Sequence, residues 1–529
     1  MVRSSTRALD SPAAVTAWSA GTGAADGGVL GQVRLSGNIP AGQSASFTIT
    51  IRNLGTGRAR TWGVVPVAVQ APGSTVHTYL GYRRIKEYEP AKVALAVPLT
   101  LPGDPALWSD GAARTSAWQA ATGDDSAISR IIGASSLTRA SWVIDPLLLT
   151  DATVPPSPTT PGGTATTPPT STPSDTPSDT PTGTGSPSPS PSGSPTSPSG
   201  GAGPLTTGSD AGHLSYAASA REASLRTSLA GTIRILAAAH TPALLPTADP
   251  DLTGATATPA TRADMSAALA KARSLSPAVA GTAGLAWPAV TWDNATAAGV
   301  AAVYGSATAI VPGAGFAPTH PASSALRSAN GRTLLTTTPE LDTLLTHTST
   351  PHSGAVLAQE LVARTAVFVG ELPGTARTML GVAPRGLDPD PDTLATVLDT
   401  LSNIPWVQPV SLPSLASAPA RPSTSEPAPR AASPAPRIPA PLLTAATAQR
   451  RDDAVALVAS AGEVRADGPA WSARWGQAGQ VLLSSAWRRN RAGFASMLTA
   501  LESAGGTVGR AVHSEARTVN FLADSGRLQ

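Results

Sequence analysis

The sequence predicts a multidomain protein: a partial β-sandwich, a central (β/α) barrel-like α/β domain and a small α-helical C-terminal region. Three observations carry that reading. Short period-two segments separated by glycine turns fill the first 80 residues. Eight apolar runs of strand length, several separated by amphipathic helices, lie between about 90 and 415. A helical apolar stripe lies near the end. The length of 529 residues allows roughly three to four domains at about 150 residues each.

In residues 1–80, Val29, Leu30, Val33 and Leu35 lead to a turn at Gly37–Gly42, and Phe47–Ile51 then alternates with period two. Gly55-Thr56-Gly57 makes the next turn before Val64, Val65, Val67 and Val69. Short alternating strands with such turns predict a sandwich module. It starts almost at residue 1, so the expectation is that its first strands are missing.

Residues 90–415 carry the α/β domain. Its expected strands are Val93–Leu101, Ser141–Leu149, Pro242–Pro246, Gly284–Pro288, Ala307–Val311, Thr333–Leu335, Thr378–Ala383 and Trp406–Leu412. Leu394, Val397, Leu398 and Leu401 fall at i, i+3, i+4 and i+7 behind Asp390-Pro391, which predicts a helix opened by that proline. Further helices are expected over Val356–Phe368 and over Arg262–Leu275, the latter capped by Thr261. Near-continuous apolar strands alternating with helices imply a parallel sheet with both faces covered. Eight of them fit a barrel, with a doubly wound open sheet as the competitor.

Residues 152–206 are almost entirely Pro, Ser, Thr and Gly. They lack the apolar content that offsets ordering entropy, which predicts a disordered tract. A Pro/Ala-rich linker at 418–441 precedes a helical region at 442–512, where Phe494, Met497, Leu498 and Leu501 form the stripe. Arg488, Arg489 and Arg491 read there as a solvated helix end.

Composition narrows function. Charged residues make 13% and the net charge is +3, which excludes a basic nucleic-acid stripe. Arginine outnumbers lysine 34 to 3, a bias of GC-rich coding. The absence of cysteine removes disulfides, thiolate metal sites and cysteine nucleophiles. No apolar run approaches 18 residues, so no transmembrane helix is read, and no signal peptide follows Met1 as written.

No nucleophile elbow, phosphate loop, dinucleotide fingerprint or zinc-protease helix occurs. His347 and His352 form the only close histidine pair. Their spacing is one residue too long for the deacetylase-type metal motif, so no metal and no cofactor are expected. Acidic residues at expected strand ends are more informative. Asp145 follows Trp142-Val143-Ile144, and Asp249 and Asp251 follow Leu244-Leu245-Pro246. Trp287 ends its own strand, and Arg385, Asp388 and Asp390 follow Leu380–Ala383. Carboxyl ends of parallel strands form the usual site face. Asp beside proline also makes turns and helix caps. The first reading makes these seven residues ligand-binding candidates, and two facing carboxylates there could hydrolyse a glycoside.

The same segments carry a resemblance. Trp142–Leu148, Leu245–Leu252, Leu285–Pro288, the run Val382-Ala383-Pro384-Arg385-Gly386-Leu387-Asp388-Pro389-Asp390-Pro391 and Pro405–Val410 together resemble an uncharacterised actinobacterial family of large envelope proteins. The genes of that family commonly lie beside that for the peptidoglycan lipid II flippase. The resemblance implies an exported, membrane-anchored protein with a β-sandwich, an α/β region and a C-terminal β-sandwich. Relative to it this chain lacks a signal peptide and a membrane anchor, and residues 513–529 start a truncated final sandwich. It also implies that 152–206 is a loop inserted into one domain, which predicts Val143 and Leu245 on neighbouring strands. A loop of that length is tolerable because closure costs only about 0.6 kcal/mol per doubling. The functional expectation is an extracytoplasmic, non-catalytic module binding cell-wall glycan or an envelope protein, with a glycosidase as the alternative.

Overall fold

A computed structural model describes residues 1–152, 219–252, 259–417, 421–422 and 479–500, less short gaps at 8, 36, 42, 44, 55–60, 110, 290–291, 293, 306–307, 314–322, 328–332 and 351–352. The Pro/Ser/Thr tract beyond residue 152, most of the 418–441 linker, the outer parts of the 442–512 region, the 513–529 strand start and His352 lie outside the described residues.

Strands β1 (Val2–Ser4), β2 (Val29–Gly31), β3 (Trp62–Ala71) and β4 (Ser74–Arg83) form an antiparallel sheet in the order β2-β1-β3-β4. The β3–β4 hairpin turns at Pro72-Gly73, where Gly73 takes φ +78°. That matches a turn with proline at its second and glycine at its third position. The Phe47–Ile51 alternation forms no strand, a correction to the sequence reading. Ile49 and Ile51 still pack on Val2, Val65 and Val67, but without a partner strand the segment has no ladder to join.

A second sheet of a sandwich is not found among the described residues. Its place is taken by helix α1 (Pro12–Ser19) and by a long helix of the α/β region, Gly354–Glu371. Val15, Trp18, Ala68 and Tyr79 belong to the same buried cluster as Val93, Leu357 and Leu361. Trp62 meets Tyr88 at 4.8 Å and Trp406 at 5.6 Å between ring centroids. Residues 1–80 therefore share one core with the α/β region.

The α/β region contains a strand overlapping seven of the eight expected segments: β5 (Ala91–Leu99), β6 (Ser141–Ile144), β7 (Ala243–Leu244), β9 (Ala309–Val311), β11 (Thr333–Thr336), β12 (Thr378–Val382) and β13 (Val407–Pro409). The eighth strand, β8 (Thr282–Ala283), ends before the expected Gly284–Pro288 run, which joins a neighbour only through an isolated bridge at Ala286, a correction that follows from the positive φ of Gly284. Two short additions are β10 (Ala325–Arg327) and β14 (Arg421–Pro422), the latter within the expected linker. One parallel sheet runs β12-β5-β6-β7-β8, with β13 also beside β5; a second has the order β14-β10-β11-β9. A parallel bridge from Ala286 to Ala309 joins them on one side. On the other, Thr338 N–H donates to Leu380 O at 2.7 Å and Ser324 N–H to Thr378 O at 2.9 Å.

The helices are α2 (Gly111–Thr122), α3 (Ala127–Ser135), α4 (Ala220–His240), α5 (Pro259–Leu275), α6 (Asn294–Tyr304), α7 (Pro339–Thr346), α8 (Gly354–Glu371), α9 (Pro391–Asn403), α10 (Leu412–Ala416) and α11 at 491–500. Helix α5 opens at Pro259, so Thr261 lies inside it rather than capping it, as a proline at the first helical position favours. Several strands are shorter than their apolar runs, β6 and β13 for a visible reason. β6 stops before Pro146, which has no N–H for a ladder, and β13 gives way to α10 behind the Ser411 cap.

Both strand faces are buried. Val93, Leu95, Val97, Leu99, Trp142 and Ile144 face the helices, while Ala94, Ala96, Val143, Ala243, Ile310, Leu335, Leu380 and Val382 form a second cluster closed by Leu412 and Leu415 of α10. That two-sided burial explains the near-continuous apolar runs.

Strands β6 and β7 pair in parallel, Val143 opposite Ala243 and Ile144 opposite Leu244, and Leu245 N–H donates to Ile144 O at 2.9 Å. The neighbours expected across the Pro/Ser/Thr tract are thus paired. The chain leaving at Thr150 and the chain returning in α4 are held together. Arg226 donates to Thr150 O at 3.0 Å and Arg234 to Leu149 O at 2.7 Å. Glu222 is fully buried, with Arg114 at 2.5 Å and Arg226 at 3.3 Å.

Candidate functional site

The strand-end residues converge in part. Asp145 follows β6 and is 2% exposed. Its Oδ1 accepts from Leu147 N–H at 3.0 Å and from Ala248 N–H at 2.8 Å. Burial pushes the carboxyl up to about 7; the backbone donors oppose this and the nearby Asp249 charge adds to it. The turn after β7 carries Ala248 at φ +70° and Asp249 at φ +42°. Consecutive non-glycine residues in the left-handed region are uncommon and cost backbone energy. Here they aim Asp249 at Arg385.

Arg385 binds Asp249 with both forks, Nε to Oδ2 at 2.5 Å and Nη2 to Oδ1 at 2.9 Å. Its Nη2 also donates to Trp287 O at 2.7 Å, and the guanidinium lies 3.8 Å over the Trp287 ring. The next residue, Gly386, has φ +68°, and a Cβ there would lie 2.8 Å from Arg489 Nη1. Only glycine fits that turn.

The remaining partners come from far along the chain. Ser485 Oγ donates to Asp249 Oδ2 at 2.7 Å, and Ser485 N–H to Asp249 O at 2.8 Å. Arg488 Nη2 donates to Asp251 Oδ1 at 2.7 Å, and Asp251 N–H to Leu483 O at 2.6 Å. The segment 481–489 lies over the strand ends with Trp487 fully buried. Arg488 is 7% exposed, which corrects its reading as part of a solvated helix end. A buried arginine needs a carboxylate, and Asp251 supplies one. Local periodicity carried no sign of Ser485 and Arg488. The one available hint was the apolar run Val481–Leu483 with Trp487 beside the arginines.

Asp388 and Asp390 do not join the cluster. Asp388 is exposed and pairs with Arg130 at the surface. Asp390 caps α9, its Oδ1 accepting from Thr393 N–H at 2.8 Å.

The cluster therefore works as a clamp. It fixes the 481–489 segment to the ends of β6 and β7 and to the loops after β8 and β12. The cavity beside Asp145, Ala248 and Trp487 measures about 10 Å³, room for a single water. The Trp287 face that could stack on a sugar is covered by Arg385. Among the described residues no group of three or more His, Asp or Glu side chains is placed to hold a metal ion. No helix among them is long and apolar enough to cross a membrane.

The chain is similar in structure to the novel alpha-amylase AmyC from Thermotoga maritima. The sequence identity is 7% and the TM-score 0.31, with 54% of this chain and 77% of that chain covered. No curated protein matches it in sequence. One family model spans almost the whole length, residues 2–528, and the chain belongs to that family, DUF6049, a family of unknown function.

Proposed function

We propose that the protein is a non-catalytic module of the cell envelope that binds cell-wall glycan or a partner envelope protein, exported and membrane-anchored in its native form. The observation that carries this reading is the engagement of every buried strand-end carboxylate. Asp145 is held by backbone amides, Asp249 by Arg385 and Ser485, and Asp251 by Arg488. Acid–base work on a glycoside needs carboxyls free to reach the bond, about 5–10 Å apart across a substrate. Here they lie beneath the 481–489 segment.

We read the two sheets as one (β/α) barrel-like ring. The Ala286–Ala309 bridge on one side, the Thr338–Leu380 bond on the other and an inner cluster drawn from both sheets support it. The arginine bias and the resemblance to an actinobacterial family neighbouring the lipid II flippase support the envelope setting. One observation favours the glycosidase alternative: a carboxyl raised to about 7 is what a general acid requires.

One experiment separates the two. Full-length protein incubated with purified insoluble cell wall is expected to co-sediment without releasing reducing ends. Release of reducing ends that Asp145→Asn abolishes would establish the enzyme instead. Protein that stays in the supernatant would overturn glycan binding.

A further inference from the structure

The opposite end of the sheet holds a cavity of about 270 Å³. It opens where β8 begins, just before β9, and beneath α10. Its walls include Leu285, Leu412, Pro413 and Ala416, and its polar lining includes Arg273 and Tyr304. Among the described residues that line it there is no acid.

Two features point to a ligand. Tyr304 is 5% exposed, and its hydroxyl has no hydrogen-bond partner among the described residues. A buried phenol left in that state costs stability unless something completes it. Burial raises its pKa, so it remains a protonated donor. The second feature is Arg273, whose Nη2 comes within 4.0 Å of where a Cβ on Gly284 would stand. Gly284 has φ +104° and no side chain, so the chain just after β8 leaves the guanidinium room. One cation, one unmatched hydroxyl and an apolar wall suit a negative head on a short apolar body.

We propose that this cavity binds a small amphipathic monoanion, its carboxylate or phosphate head on Arg273 and Tyr304 and its apolar body against Leu285, Leu412 and Pro413. The proposal does not rest on the envelope reading; the charges of Asp249 and Arg385 in the strand-end cluster reach the Tyr304 hydroxyl and act on it in opposite senses.

Isothermal titration of the full chain with octanoate, octyl phosphate and octanol tests it. At least one of the two anions is expected to bind about tenfold more tightly than octanol, and the better one names the head group. Arg273→Gln and Tyr304→Phe are each expected to weaken that anion about tenfold, the effect of removing one charge-assisted bond. Arg273 is exposed, so Arg273→Gln is expected to melt within about a degree or two of the parent, which thermal unfolding without ligand checks. Tyr304→Phe keeps the ring and, without ligand, should melt no lower than the parent, because it removes a hydroxyl that nothing satisfies. Equal binding of octanol, no binding of either anion, or unchanged affinity in both variants would overturn the proposal.

Discussion

Asp249 and Asp388 both follow parallel strands, and both meet an arginine, yet they sit in opposite physical regimes. The side chains of Asp249 and Arg385 are 5% and 13% exposed, while those of Asp388 and Arg130 are 66% and 30% exposed. In the first pair water is excluded, two parallel bonds form, and Ser485 occupies a further lone pair. In the second, water competes for both charges. The lesson is that an ion pair's worth here depends on what surrounds it. A surface pair contributes about 0–1 kcal/mol. Removing one partner of a buried pair leaves an uncompensated charge, at a cost of about 3–5 kcal/mol.

Replacing Asp249 puts the largest load on that comparison. Asp249→Ala strands Arg385 over Trp287 and frees Ser485, and urea denaturation should show a loss of about 3–5 kcal/mol. A loss under about 1 kcal/mol would mean that the strand-end cluster behaves as a surface.

Asp145 sharpens the same contrast through pH. Its folded pKa of about 7 lies above the ordinary carboxylate value of about 3.9. The folded state therefore keeps a proton that the unfolded chain releases between about pH 4 and 7. Stability from this group is full below pH 4 and is lost as pH rises through 7, by up to about 4 kcal/mol. Asp145→Asn keeps an acceptor for Leu147 and Ala248 and carries no charge. The urea midpoint of the variant should fall less between pH 5 and pH 8 than that of the parent. Parallel curves would show that Asp145 does not titrate in this window.

Asp388→Asn gives the smallest expected change, within about 0.5 kcal/mol at moderate salt, and salt should shrink it further. A change of 2 kcal/mol would place Asp388 in the buried class and erase the distinction.

The sequence by itself determined the local elements. The Leu394–Leu401 periodicity and Asp390-Pro391 located α9 and its cap, and the apolar runs marked seven of the eight strand segments, because a 3.6-residue repeat and a continuous apolar run are both written within one element. The pairing of β6 with β7 followed from the family pattern and not from composition, which marks such tracts as separators of domains. Tertiary structure alone decided the rest. Asp249 meets Arg385 across 136 positions and Asp251 meets Arg488 across 237, and no short window records such a partner. Whether Phe47–Ile51 becomes a strand, or Arg488 a surface charge, likewise depends on what packs beside it. A strand needs a neighbour's backbone and a buried guanidinium needs a carboxylate, and both arrive only when distant parts of the chain meet.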